Sequence, residues 1–121
     1  KLPTQYMHTL WFSLNFSNPI HQEEIEENLK NSDFLMATEK MSSNKVFSFG
    51  RDHGYHGRLL SHGVVAEHSL HVKENTLTGY CFTPQDGNAL LSSVAATVQH
   101  YYKDSWKEKM KIFDRYIFKN I

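Results

Sequence analysis

The chain has 121 residues, of which 40% are hydrophobic, 13% aromatic and 21% charged, a composition typical of one folded globular domain. Lys plus Arg and Asp plus Glu number 13 each, so no excess of positive charge is present to drive nucleic-acid binding. No apolar run reaches the roughly 18 residues of a membrane span, and the single Cys81 excludes an internal disulfide and fits a reducing, cytoplasmic compartment. The sequence starts at Lys1 with neither a Met nor a targeting pattern, as expected of a processed chain or a piece of a longer one.

The first predicted element is a strand over Tyr6–Phe16, because large apolar residues recur at every second position. One face carries His8 among four apolar side chains, namely Leu10, Phe12, Leu14 and Phe16. The opposite face carries Met7 and Trp11. We therefore expect that second face to be covered as well, by another layer of the domain or by another subunit.

A helix is predicted next over Ile20–Lys30, since glutamates crowd its amino half, where negative charge is favourable, and Ile25 and Leu29 mark its buried side. The short apolar run 34–37 predicts a strand buried on both faces. Residues 42–52 fit either a short helix that begins at a serine or another strand, and the sequence leaves these two alternatives open.

Residues 50–63 form a loop-like stretch rich in glycine and histidine. A strand is then predicted over residues 63–72, in which Val64, Ala66, Leu70 and Val72 share one face. Glu74-Asn75 predicts a hairpin turn, and residues 76–82 predict its antiparallel partner strand.

Helical periodicity begins at Asn88 and continues to Tyr102. A second helix is predicted over residues 103–121, because Ser105 and Glu108 have the spacing of a capping box and an apolar stripe follows. The order of elements predicts one α+β domain over residues 1–121, with a mostly antiparallel or mixed sheet and helices on one face.

Histidines are the most obvious candidates for metal binding, since eight occur in the chain. His53, His56 and His62 are the possible ligands. The pattern nevertheless favours surface or loop histidines, because the only cysteine is distant in sequence, and we predict no metal site. Cys81 lies in the middle of a predicted strand without a nearby base, which favours a buried, inert thiol over a nucleophile.

His8 has two interpretations from the pattern alone. It occupies a position on an apolar strand face, which favours a hydrogen-bonded core histidine. An imidazole at a strand end beside a cleft could instead act as a general base, since it exchanges protons near neutral pH. The segment 83–88 is similarly open, because it fits a turn with a helix cap and also a loop that contacts a ligand.

A family resemblance adds to these observations. Lys1-Leu2-Pro3-Thr4 followed by Met7-His8 resembles the opening of the catalytic domain of archaeal-type (type II) glyceraldehyde-3-phosphate dehydrogenases, which have a Lys-x-Pro-Thr and a Met-His at the same separation. The similarity continues in order through the acidic helix 22–29, the hairpin and the segment 83–86, where the family has a His-Gln-Glu-Ser-Asp-like sequence. It covers roughly residues 1–102.

Such enzymes combine this α+β domain with a Rossmann domain that binds NAD or NADP, and they oxidise a phosphorylated aldehyde through a thioester on a cysteine. The resemblance implies that His8 is the general base and that Gln85 contacts the cofactor. The nucleophilic cysteine of the family would lie before Lys1, and Cys81 does not match it. The chain also lacks a Gly-rich dinucleotide fingerprint.

We therefore expect a catalytic and substrate-binding domain of a phosphorylating, NAD(P)-dependent aldehyde dehydrogenase. By this interpretation it works with a Rossmann domain of the same protein, assembles as a homo-oligomer and is inactive alone. The alternative is a non-catalytic oligomerisation or protein-interaction module on the same fold, since the first strand and the terminal aromatic residues offer apolar surface to a partner.

Overall fold

A computed structural model describes residues 7–55, 63–84, 87–116 and 121 of the chain. The strands are β1 (Met7–Asn15), β2 (Leu35–Thr38), β3 (Gly63–Ala66), β4 (His71–Lys73) and β5 (Thr76–Pro84). The α-helices are α1 (Gln22–Lys30), α2 (Ser43–Gly50), α3 (Gly87–Tyr102) and α4 (Trp106–Met110). Shorter helical turns are Arg51–Tyr55, Glu67–Ser69, Lys103–Ser105 and Lys111–Tyr116. The protein is therefore α+β, as the sequence predicts. None of the helices in the described ranges is both long and apolar enough to cross a membrane.

The five strands form one mixed sheet with the order β1-β5-β3-β2. β5 is antiparallel to β1 along its full length, and β2 and β3 are parallel to each other. The other side of β5 pairs with β3 near its end and with β4 near its beginning. β4 and β5 form the predicted hairpin through the turn at Glu74-Asn75. The long β5 is thus the strand that joins the rest of the sheet to β1.

Apolar residues are buried on both faces of this sheet. The Met7 cluster, with Val46 of α2, comprises Met7, Met36, Val46, Val64, Ala66, Phe82 and Ile121. The Val65 cluster, with Ile25 of α1, comprises Ile25, Val65, Leu70 and Leu77. Val64 and Val65 are consecutive in β3 and therefore point to opposite faces. The prediction that helices lie on one face is wrong for α1 and α2, because both faces of the central strands are apolar.

The predicted continuous strand over residues 63–72 is also wrong. A 3₁₀ turn at Glu67–Ser69 separates β3 from β4, so Ala66 belongs to the Met7 cluster and Leu70 to the Val65 cluster. The Ser69 hydroxyl donates to the carbonyl oxygen of Ala66 at 2.6 Å and accepts the N–H of Tyr80 at 2.8 Å. These two bonds stabilise a turn that the alternation of apolar residues does not indicate.

The structure decides the open alternative for residues 42–52 and changes the prediction for residues 103–121. Residues 43–50 are the helix α2, whose buried residue is Val46. The predicted helix over 103–121 is divided, since α4 has a 3₁₀ turn on either side. The predicted capping box is not formed, because the hydroxyl of Ser105 donates to the carbonyl oxygen of Tyr102 at 3.0 Å. Ile121 does not continue a helical stripe but packs into the Met7 cluster.

Candidate functional site

The candidate site lies where β1 begins and β5 ends. His8 stands opposite Thr83, and Leu10 stands opposite Cys81, in the antiparallel register. Side chains of directly opposed residues project to the same face of a sheet, so these four share one face. On the other face Met7 is only 1% exposed, which anchors the start of β1 in the core. The backbone that carries His8 is therefore held by the β1–β5 ladder and by its buried neighbour.

The imidazole of His8 has an unusual environment. It is partly buried, and its Nδ1 atom is shielded from solvent without a hydrogen-bond partner in the part of the chain that the structure describes. A buried polar atom without a partner costs free energy, and most such atoms in folded proteins are paired. The Nδ1 atom is thus suited to a hydrogen bond with a group from a ligand or from another domain.

Gln85, the residue predicted to contact the cofactor, lies outside the described residues. It follows Pro84, the last residue of β5, in the sequence, and α3 begins at Gly87. The expectation that His8 and Gln85 face one cleft accordingly stays a prediction.

Cys81 shares the face of His8 but has the character of a structural thiol. Burial raises the pKa of the Cys81 thiol, because desolvation disfavours the charged thiolate. A protonated thiol is a poor nucleophile. The local environment therefore agrees with the sequence interpretation of Cys81 as unreactive.

The histidine-rich segment is described only at its beginning. The Nδ1 atom of His53 lies 2.8 Å from the carbonyl oxygen of Phe49, and the two rings stack with centroids 4.1 Å apart. His56 and His62 lie outside the described residues. Across the described ranges no group of three or more His, Cys, Asp or Glu residues is arranged to hold a metal ion.

Two further features complete the surface. Trp11 and Tyr80 stand opposite each other in the β1–β5 register and are 59% and 43% exposed. This pair, the Trp11–Tyr80 surface, lies uncovered on the face that the sequence predicts to be covered.

A separate cavity of about 280 Å³ lies where Phe34 stacks against Trp106, with Leu91 and Met110 also in its wall. Trp106 and Met110 belong to the apolar stripe that follows Ser105, a pattern that predicts packing residues and does not predict the cavity.

No protein-family model matches the sequence, and no curated protein matches it at a significant level.

Proposed function

We propose that this chain is the catalytic and substrate-binding domain of an NAD(P)-dependent, phosphorylating aldehyde dehydrogenase, with His8 as its general base. The observation that carries the proposal is the Nδ1 atom of His8 at the start of β1, which is shielded from solvent and has no hydrogen-bond partner among the described residues. The resemblance of residues 1–102 to the catalytic domain of type II glyceraldehyde-3-phosphate dehydrogenases supplies the reaction class. The specific fold of that family is part of the same proposal.

The role of His8 follows from its chemistry. Addition of a thiol to the aldehyde gives a hemithioacetal, which becomes a thioester by losing its hydroxyl proton and a hydride from the same carbon. A neutral imidazole nitrogen can accept that proton. A bound NAD or NADP would supply the hydride acceptor. The protonated thiol of Cys81 leaves the nucleophile to a cysteine outside this chain, as the resemblance implies. A separate nucleotide-binding domain would hold most of the cofactor, and Gln85 is this chain's proposed contact with it.

The test is NAD(P)⁺ reduction by a protein that joins this chain to its nucleotide-binding domain, with a phosphorylated aldehyde and inorganic phosphate as substrates. We expect His8→Ala to lower turnover by about 10²-fold or more, the usual scale of general-base catalysis. His8→Asn restores a polar atom near the position of Nδ1 but cannot act as a base, so it should be equally impaired. The matched control is His68→Ala, an exposed histidine in the 3₁₀ turn.

The two possible failures have different meanings. Full turnover in His8→Asn with loss in His8→Ala would assign His8 a positioning role and contradict the general-base assignment. Absence of any NAD(P)⁺ reduction by the joined protein would overturn the dehydrogenase proposal as a whole.

A second candidate function is a non-catalytic oligomerisation module, and one observation favours it. The Trp11–Tyr80 surface exposes two large aromatic side chains side by side on the sheet, an arrangement common in protein interfaces. Assembly through this surface is compatible with catalysis and would also be the whole function if catalysis fails its test.

A further inference from the structure

Ile121, far from β2 in the sequence, lies along the edge of that strand. The N–H of Ile121 donates to the carbonyl oxygen of Ala37 at 3.1 Å, and the hydroxyl of Thr38 donates to the carbonyl oxygen of Ile121 at 2.7 Å. The Ile121 side chain is 8% exposed and packs in the Met7 cluster. Ile121 is thus held by its N–H, its C=O and its side chain at once.

The hydroxyl group that donates to Ile121 is fixed within β2. Thr38 is 0% exposed, and its hydroxyl oxygen also accepts the N–H of Lys40 at 3.1 Å. The bond from Lys40 occupies one side of the Thr38 oxygen, so the hydroxyl proton points to a carbonyl group at the outer edge of β2. A fully buried hydroxyl requires such a partner, and Ile121 supplies it.

Because β2 is at the edge of the sheet, the bond from Ile121 to Ala37 resembles the addition of an extended peptide to a sheet edge. β2 is the last strand in the order β1-β5-β3-β2, so its outer side is a sheet edge. Sheet edges bind extended peptides through main-chain hydrogen bonds, and adjacent pockets select the side chain. Beside Ile121 an open depression lined by Glu39, Lys40, Met41 and Lys45 gives a longer peptide room to continue.

We propose that the outer edge of β2 is a peptide-binding site for an extended segment with an aliphatic side chain, and that Ile121 is its intramolecular occupant. A peptide from another molecule would displace Ile121 and take over its two hydrogen bonds and its place in the Met7 cluster. This interaction is independent of the dehydrogenase reaction. Because Ile121 is tethered, it competes at a high effective concentration, and displacement needs peptide in the millimolar range.

The probe is a synthetic peptide with the sequence of residues 115–121, added to the full chain with ¹³C-labelled isoleucine methyl groups. We expect the Ile121 methyl signal to move saturably from a buried to a solvent-exposed shift. Ile112, which is 67% exposed, is the internal reference whose signal should not move. A control peptide carrying Ile121→Asp should have no effect. An unmoved Ile121 signal, or equal displacement by the control peptide, would overturn the proposal.

A second measurement tests the hydroxyl of Thr38. Loss of one buried hydrogen bond in Thr38→Val should speed hydrogen exchange of the Ile121 amide by about two- to tenfold, and Thr38→Ser should restore slow exchange. The matched control is Thr97→Val, whose hydroxyl donates to Ser93 within α3 at 2.8 Å. Equal exchange in Thr38→Val and the native chain would contradict the assigned role of the Thr38 hydroxyl as a donor that holds Ile121. Should Thr38→Val not fold, the peptide titration on the native chain decides.

Discussion

Cys81 and His8 lie on the same face of the sheet, but their side chains have different environments. Cys81 lies on β5 opposite Leu10, which is the next residue after His8 on that face of β1. Burial raises the pKa of the Cys81 thiol. The Nδ1 atom of His8 has no hydrogen-bond partner among the described residues. A thiol whose pKa is raised by burial stays protonated near neutral pH and is a poor nucleophile. The proposed chemistry therefore depends on a thiol supplied from outside this chain.

The raised pKa of Cys81 predicts a pH dependence of stability. The unfolded chain ionises Cys81 near its ordinary pKa of 9.0, and the folded chain does so only at higher pH. The unfolded state thus loses its proton first, so the free energy of unfolding is highest below this window and falls as the pH rises through it. Urea denaturation should show this fall in the native chain beyond that of Cys81→Ala. A difference between the two proteins that does not change with pH would contradict it.

Residue-level prediction succeeds where the information is local. Alternation along β1 correctly places His8 on the face of Leu10 and opposite that of Met7. The buried hydroxyl of Thr38 could not be predicted, because its partner Ile121 is 83 positions away in sequence. That His8 Nδ1 finds no hydrogen-bond partner within the described ranges likewise depends on tertiary packing and not on a sequence pattern.

The β4–β5 hairpin shows at the element scale how distant contacts hold a turn. Glu74 has a φ of 57°, in the left-handed region that non-glycine residues avoid. Its carbonyl oxygen accepts the N–H of Ile20 at 3.2 Å, and the carbonyl oxygen of Asn75 accepts the N–H of Phe16 at 2.8 Å. These bonds to the segment after β1 keep the turn in its strained form.

Glu74→Gly should therefore stabilise the protein. Glycine adopts a positive φ without steric cost, and the net gain, after the greater freedom of glycine in the unfolded chain, is about 0.5–1 kcal/mol. Thermal denaturation should show a melting temperature a few degrees higher. Glu74→Ala is the control, because it removes the same side chain but keeps the strain. An equal rise in both variants would assign the effect to charge instead.

Element-level prediction fails where a side chain interrupts a regular pattern. Residues 63–72 alternate like one strand, but Ser69 bonds Ala66 and Tyr80 and so stabilises the turn between β3 and β4. Residues 42–52 fit a helix or a strand equally well, because a short apolar run occurs in both. In the structure they include α2, and its residue Val46 packs in the Met7 cluster. The hairpin turn, whose signal is local, was predicted correctly.

The Trp11–Tyr80 surface is a feature of the whole molecule, because it leaves one part of the sheet uncovered while α1 and α2 cover others. If two copies associate through it, Trp11→Lys and Tyr80→Lys should each convert the assembly to monomers, since a charge would have to be desolvated at the interface. Light scattering at micromolar protein concentrations measures this directly. Tyr101→Lys is the control, because Tyr101 is 75% exposed but lies in α3.

The outcome for the native chain decides the second candidate function. A native chain that is monomeric at all these concentrations would contradict self-association through this surface. Dissociation by Tyr101→Lys to the same extent would place the interface elsewhere.

At this scale the sequence predicts the α+β class and the mixed sheet, because strand and helix periodicities are distinct along the chain. It does not predict that α1 and α2 cover opposite faces. A short apolar strand such as 34–37 has apolar residues on both faces, so its sequence does not show which helix covers which face of the sheet. The placement of Ile121 against β2 depends on the assembled sheet.

The pairing of β1 with β5 also has a consequence for synthesis on the ribosome. The nearest paired residues, Asn15 and Thr76, are 61 positions apart, and β1 itself contains no Lys, Arg, Asp or Glu. At translation rates of ~5–20 residues per second, β1 would emerge roughly 3–12 s before its partner does. During that interval an uncharged, aromatic segment awaits its neighbour, and it is the part of the nascent chain where we expect a chaperone to bind.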